Sequence, residues 1–311
     1  MNNLLRLIGR RLIALPIMIF GVTILVFFIM ALSPIDQAYQ VLGENATEAQ
    51  AEAYRAEHGL NDPVIVQYGN YMVGLCQGDL GSYGANNASV GERIASALPI
   101  TLQLTFMGLI IAVILATILG VISALYRDRW PDQVIRVFSI ACIATPSFWL
   151  AVLMILLFSS MLGWLPASGK LPVFGEDPVG WIRRMAMPAI ALAVPVTGQL
   201  TRVIRTSMVE ELDKDYVRTA LGAGIPNVLR NALITPVTVL GLRIGYLIGG
   251  AVVIEVIFNL PGMGMAILSG IQSNYVMLVQ GVVLIVAITF IFINIIVAML
   301  YILIDPRIRT V

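Results

Sequence analysis

Charge is scarce in this sequence: Asp, Glu, Lys and Arg make up only 12% of its 311 residues, about half the share of an ordinary globular domain. So few charges cannot cover a water-facing surface of this size, which excludes an ordinary soluble enzyme. Nineteen basic against eighteen acidic side chains leave a net charge of +1, so nothing points to nucleic-acid binding or to a basic membrane-surface module. Cysteine and histidine are almost missing. Cys76 and Cys142 stand far apart with no C-x-x-C, and His58 is the single histidine, so no disulfide framework or metal cluster is legible. The G-x-x-x-x-G-K-[ST] loop of nucleotide-binding chains and the H-E-x-x-H of metalloproteases are absent as well.

What fills the sequence instead is apolar: 59% of its residues, with a mean hydropathy of +0.90. A helix crossing a ~30 Å hydrocarbon layer needs about 20 such residues, because every backbone N–H and C=O must bond within the segment. Six stretches qualify, at residues 12–32, 99–125, 139–162, 188–200, 234–258 and 276–304. The fourth is short and is expected to extend by a turn at either end. The first is too long for a cleavable signal core of about 7–15 residues and reads as a retained anchor. The fold class is therefore an all-α membrane protein with six transmembrane helices.

Basic residues are held on the cytoplasmic side of a membrane, and with a cytoplasmic N-terminus 13 of the 19 Lys and Arg fall there. An even number of spans returns the C-terminus to the same side. Lys170, Arg183 and Arg184 vote the other way. The organisation is then a tail and first helix (1–32), an extracytoplasmic cap segment (33–98), a five-helix core (99–304) that includes a polar cytoplasmic segment (201–231), and a cytoplasmic tail (305–311). The cap, about 65 residues with eight acids and two basics, is too long for a turn. Its pattern predicts helices over 47–58 and 64–75, a turn at Asn61, Asp62 and Pro63, and a break at Gly78 to Gly81.

Within the spans, Gly241, Gly245 and Gly249 recur every fourth residue, a spacing that lets a second helix approach closely; Ala112, Ala116 and Gly120 make a similar stripe. Either stripe serves packing within one subunit or an interface between two. Arg243 and Glu255 are intramembrane charges, which normally face a cavity or partner. Twelve residues along a helix separate them by ~18 Å, so they do not pair directly. Glu255 precedes the turn at Asn259, Leu260, Pro261 and Gly262, and suits either a gate or a clamp on that turn. Arg243 lines a pathway for an anionic cargo or snorkels to the cytoplasmic face. Pro146 and Pro195 interrupt spans three and four and are candidate hinges.

Ordered landmarks then carry a resemblance. They include Gly78-Asp79-Leu80-Gly81, Arg129-Trp130-Pro131-Asp132, Thr145-Pro146-Ser147-Phe148-Trp149-Leu150, Gly163-Trp164-Leu165-Pro166, Phe258-Asn259-Leu260-Pro261-Gly262 and Asp305-Pro306-Arg307. Asp215-Tyr216-Val217-Arg218-Thr219-Ala220, Gly224 and Arg230-Asn231-Ala232-Leu233 join them. Together these resemble binding-protein-dependent ABC permeases of the dipeptide, oligopeptide and nickel type, over nearly the whole chain. The resemblance implies a non-catalytic permease subunit in the bacterial cytoplasmic membrane. Its expected partners are a second, homologous permease, two cytoplasmic ATPase subunits and an extracytoplasmic substrate-binding protein. No cofactor is expected in this chain; ATP and Mg²⁺ are expected on the ATPases. Asp215, Tyr216, Arg218, Thr219, Ala220, Gly224 and Arg230 would form the helix that couples to them. The sequence departs from the family in the interval from Gly224 to Arg230, shorter by about two helical turns, and in Arg243, where the family generally has glutamine. The alternative is a secondary transporter with Glu255 as its proton-coupling carboxylate.

Overall fold

The computed structural model describes residues 2–32, 36–43, 45–214 and 234–304. They are mostly helical and divide between two compact units: Met1–Arg6, Thr101–Leu260 and Phe292–Val311 in the first, Leu7–Ile100 and Pro261–Ile291 in the second.

The chain opens with α1 (Asn2–Ala31). The predicted cap helices follow as α3 (Glu48–Glu57) and α4 (Val64–Cys76), preceded by a short α2 (Gln37–Leu42). Local chemistry sets their ends. Asp36 caps α2 by accepting from the Ala38 N–H at 2.9 Å. Thr47 and Gln50 form a reciprocal capping box on α3, which satisfies two otherwise orphaned N–H donors. Arg55, in the last turn of α3, ties the two helices together by bonding Asp36, Glu48 and Glu52. The guanidinium holds the Asp36 carboxyl below its ordinary range. A two-residue hairpin, β1 (Ser82–Tyr83) against β2 (Ala88–Ser89), pairs Ser82 with Ser89 and Tyr83 with Ala88. The second unit's core joins Val90, Ile94 and Ala97 to Met263, Ala266, Leu278 and Val282.

Among the described residues, four helices are long and apolar enough to cross a membrane: α5 (Val90–Leu125), α8 (Pro178–Leu212), the Val239–Ile257 part of α9 (Ile234–Ile257), and the Val276–Val297 part of α11 (Val276–Ile304). A bent pair, Trp130–Ala144 with Ser147–Met161, makes a fifth if it counts as one span. The described apolar part of α1, Pro16–Ala31, is shorter, as is α10 (Met263–Gln272).

Three expectations need correction. The short fourth span is a 35-residue helix, α8. Its N-terminal extension is built by Asp177, which accepts from the Gly180 N–H at 2.8 Å, and by Pro178 at the first helical position. Its C-terminal extension absorbs residues 201–212, which the sequence assigned to a separate polar segment. Pro195 does not interrupt α8, whereas Pro146 breaks its span outright: α6 (Trp130–Ala144) and the helical segment Ser147–Met161, which opens with α7 (Ser147–Met154), meet at 98°. Proline pushes the residue before it out of the helical region, and Thr145 is extended at φ −88°, ψ 115°.

In the first unit α8 is the central helix, packed against α6, α7 and α9. Small residues let it come close. A Cβ on Gly198 would stand 2.6 Å from the Ser139 carbonyl of α6, and one on Gly120 would stand 2.7 Å from Ile204.

Candidate functional site: three polar stations along the central helix

Near its C-terminal end, α8 carries Arg205, whose Nε and Nη2 donate to the two carboxylate oxygens of Asp132, each at 2.7 Å. Asp132 opens α6 and is 0% exposed. It also accepts from the Ser123 hydroxyl of α5 at 2.5 Å and from the Asp128 N–H of the α5–α6 turn at 3.0 Å. One carboxylate thus binds α5, the turn, α6 and α8. A two-pronged guanidinium–carboxylate pair fixes direction as well as distance, so these four pieces have one mutual geometry. Arg127 adds an exposed ion pair to Asp213 at 2.8 Å.

Between α6, α8 and α9 lies a cavity of about 390 Å³ lined by Ile143, Gln199, Arg202, Thr206, Glu210 and Arg243, among others. Neither Arg202 nor Arg243 forms an ion pair among the described residues. Two guanidiniums against one lining carboxylate give the cavity a positive balance suited to a carboxylate-bearing solute. The structure places Arg243 in a cavity wall; Arg202, on the neighbouring helix, is the companion that sequence reasoning missed.

Toward its N-terminus, α8 carries Arg184, only 2% exposed. Its Nη1 donates to the Ala167 carbonyl at 2.8 Å, and its Nη2 to the Phe258 carbonyl at 2.5 Å and the Asn259 carbonyl at 3.4 Å. The last two belong to the turn that ends α9. Asn259 takes the left-handed conformation there, φ 49°, and the Leu260 N–H closes back on the Glu255 carbonyl at 2.9 Å. A helix C-terminus leaves carbonyls without intrahelical donors and carries partial negative charge; Arg184 meets both needs. Glu255 is 0% exposed beside this turn. One of the three basic residues that opposed the orientation rule is therefore a buried cap.

Among the other expected site residues, Pro146 sits exposed at the 98° break. The glycine stripe on α9 does not act as one surface. Gly241 is buried against Val297 of α11, while Gly249 has nothing within 4 Å of a Cβ placed on it; its neighbour Gly250 meets Leu192 of α8 at 2.9 Å. Gly245 is half-buried. The Ala112, Ala116 and Gly120 stripe packs within the chain. Asp215, Tyr216, Arg218, Thr219, Ala220, Gly224 and Arg230 lie outside the described residues.

A long, largely buried helix that bonds its neighbours at both ends, among several helices long and apolar enough to cross a membrane, defines a multi-pass membrane protein. Residues 116–310 match the family model for the binding-protein-dependent transport system inner membrane component, and residues 4–105 match the model for the N-terminal part of such components. The chain belongs to this family, the ABC permeases of peptide type. It is 39% identical over 303 residues to a "putative peptide transport system permease protein" of Brucella abortus (strain 2308), covering 95% of this chain and 96% of that one. It is 36% identical to the dipeptide transport system permease protein DppB of Alkalihalophilus pseudofirmus, with 96% and 98% covered. Identity to the glutathione transport system permease protein GsiC of Escherichia coli O6:H1 is 34%, with 98% and 99% covered. Membership of this family gives no support to the gradient-driven alternative built on Glu255.

Proposed function

We propose that this chain is one of two permease subunits in an ATP-driven importer of short peptides in the bacterial cytoplasmic membrane, with nickel chelates as a neighbouring cargo class. It crosses six times, with both termini cytoplasmic. A second homologous permease completes the pore, two ATPases bind ATP and Mg²⁺, and an extracytoplasmic binding protein delivers cargo. The observation that carries the mechanism is the continuity of α8 from Pro178 to Leu212, clamped to α5 and α6 through Asp132 and Arg205. Asp215, the first residue of the proposed coupling segment, follows within three residues of its end. A displacement of that segment by the ATPases reaches α8 and its bonded neighbours as one rigid movement, because a clamped helix tilts rather than bends.

In this cycle the positive cavity beside Arg243 and Arg202 lies on the cytoplasmic half of the path and receives the carboxylate of a peptide that has passed the Glu255–Asn259 turn. Uptake of labelled dipeptide into vesicles holding the full assembly tests the reading. ATP-dependent uptake that survives collapse of the proton gradient is expected; uptake by this chain alone, driven by a gradient, would overturn it. Gly224→Pro addresses the contact itself. The variant should insert normally yet fail to retain the ATPases on a pull-down, and undiminished retention would remove Gly224 from the coupling surface.

A further inference from the structure

The second unit holds two adjoining cavities, of about 270 and 230 Å³, that share Gln37, His58, Leu60, Asp79, Gly81 and Met277. They sit among α1, the cap helices and the start of α11. Their walls are mixed in a particular way. Among the described residues that line them there is no lysine or arginine, and Asp79 is the one carboxylate, common to both. Asp79 spends one oxygen on the Gly81 N–H, at 2.8 Å, and forms no ion pair among the described residues. Aromatic rings supply the rest: Tyr54, stacked on His58 at 3.9 Å, with Tyr83 and Tyr275 at 5.3 Å from each other.

The smaller cavity has two polar groups that the fold leaves unused. Gln280, on α11, is 4% exposed and lines this cavity, and its side-chain amide has no hydrogen bond to another described residue. The Tyr71 hydroxyl, on α4, is buried and has no partner either. Burial pushes the Tyr71 phenol up to about 12, so it keeps its proton and can donate at neutral pH. Buried polar side chains are nearly always satisfied, because an unmade bond costs the full desolvation of the group. Two in the same wall, beside a carboxylate with no cation, are the unfilled half of a recognition site.

The geometry points to these cavities as a binding site for the ammonium end of a small amine-bearing solute, the class to which the N-terminus of a short peptide belongs. Asp79 meets the ammonium charge, Gln280 and Tyr71 bond the peptide group beside it, and the aromatic walls take the first side chain. As a binding site it stands on the cavity alone; as a cargo site it rests on the import reading above.

The test uses the full chain in lipid nanodiscs and measures binding of alanyl-phenylalanine and of N-acetyl-alanyl-phenylalanine, which has no ammonium. The free dipeptide should bind at least tenfold more tightly. Asp79→Asn, which keeps an acceptor for the Gly81 N–H, should erase that preference. Gln280→Leu should weaken dipeptide binding severalfold without lowering thermal stability, since the amide it removes has no internal bond to lose. Equal binding of the two probes, or a preference that persists in Asp79→Asn, would overturn the proposal. The two readings fail separately. Binding that follows these expectations in a chain whose assembly shows no ATP-driven uptake sinks the importer and leaves the site standing. Uptake without such binding does the reverse.

Discussion

A guanidinium drawn away from water needs acceptors, and Arg184 and Arg205 find them differently, Arg184 through its two Nη groups while its buried Nε has no acceptor among the described residues. Arg205 takes a carboxylate, Arg184 takes backbone carbonyls. The second arrangement makes Arg184 a structural part of the α9 turn. Arg184→Met keeps the bulk but strands the Phe258 and Asn259 carbonyls, and a hydrogen bond to a charged group is worth about 1.5–3 kcal/mol. Thermal unfolding in nanodiscs should show a loss of that order, with Arg184→Lys recovering part of it. An unchanged melting temperature would mean water replaces the guanidinium. In the sequence Arg184 was visible only as a charge on the unexpected side, since three carbonyls leave no trace in residue type. The cap segment gives a pH prediction at the same scale. Arg55 lowers the Asp36 pKa in the folded chain, so the unfolded chain binds a proton more readily. The resulting stability is complete above the unfolded value of about 4 and drains away as pH falls through the lower folded value. With Asp36 about a third exposed (34%), solvent screens the effect. Hydrogen-exchange protection in α2 and α3, taken relative to the intrinsic rate at each pH, should fall below about pH 4, and Arg55→Gln should remove that acid dependence.

At the scale of elements, apolar runs identified where helices exist and failed at where they stop. The cap helices were read within a residue or two because capping residues punctuate them: Thr47 and Gln50 on α3, Pro63 ahead of α4. α8 was misread because its ends carry Arg183, Arg184, Arg202 and Arg205, which a hydropathy reading trims away. Those arginines are bonded to protein, apart from Arg202 in the cavity wall, so the helix runs on through them. Prolines divided in the same way. Pro195 sits inside a helix held by packing on several sides, whereas Pro146 lies exposed. The glycines that matter for packing also differ from those that recur by spacing. Gly198 lies in no stripe, yet its Cα faces the Ser139 carbonyl and Cys142 of α6. Gly198→Leu should force α6 and α8 apart and cost about 1–3 kcal/mol as an overpacked contact. Gly249→Leu, at an open position of the isolated chain, should leave chain stability unchanged. Equal effects from both in a thermal melt would mean that the α6–α8 contact is softer than its geometry.

For the whole molecule, the proposed function raises the question of how work done by the ATPases at one end of α8 would reach the rest of the path. Family membership was legible because ordered landmarks survive along the chain; the linkage was not, because Ser123, Asp132 and Arg205 are distant in sequence and ordinary in type. A rigid lever makes a prediction that a merely structural pair does not. Asp132→Asn keeps the volume and one carbonyl oxygen, which can accept from the Asp128 N–H while its amide N–H turns to the Ser123 hydroxyl, but it removes the charge that holds both prongs of Arg205. The helices should still assemble, with α8 free to slip against α5 and α6. In the assembled transporter the ATPases would then still bind and hydrolyse ATP at near their normal rate, while dipeptide uptake per ATP falls at least tenfold. Simple misfolding predicts instead that subunit retention, hydrolysis and uptake decline together, and an inert pair predicts that none of them changes. The ratio of uptake to hydrolysis, measured in one vesicle preparation, separates the three, since only a loosened lever lowers that ratio without lowering the number of assembled complexes.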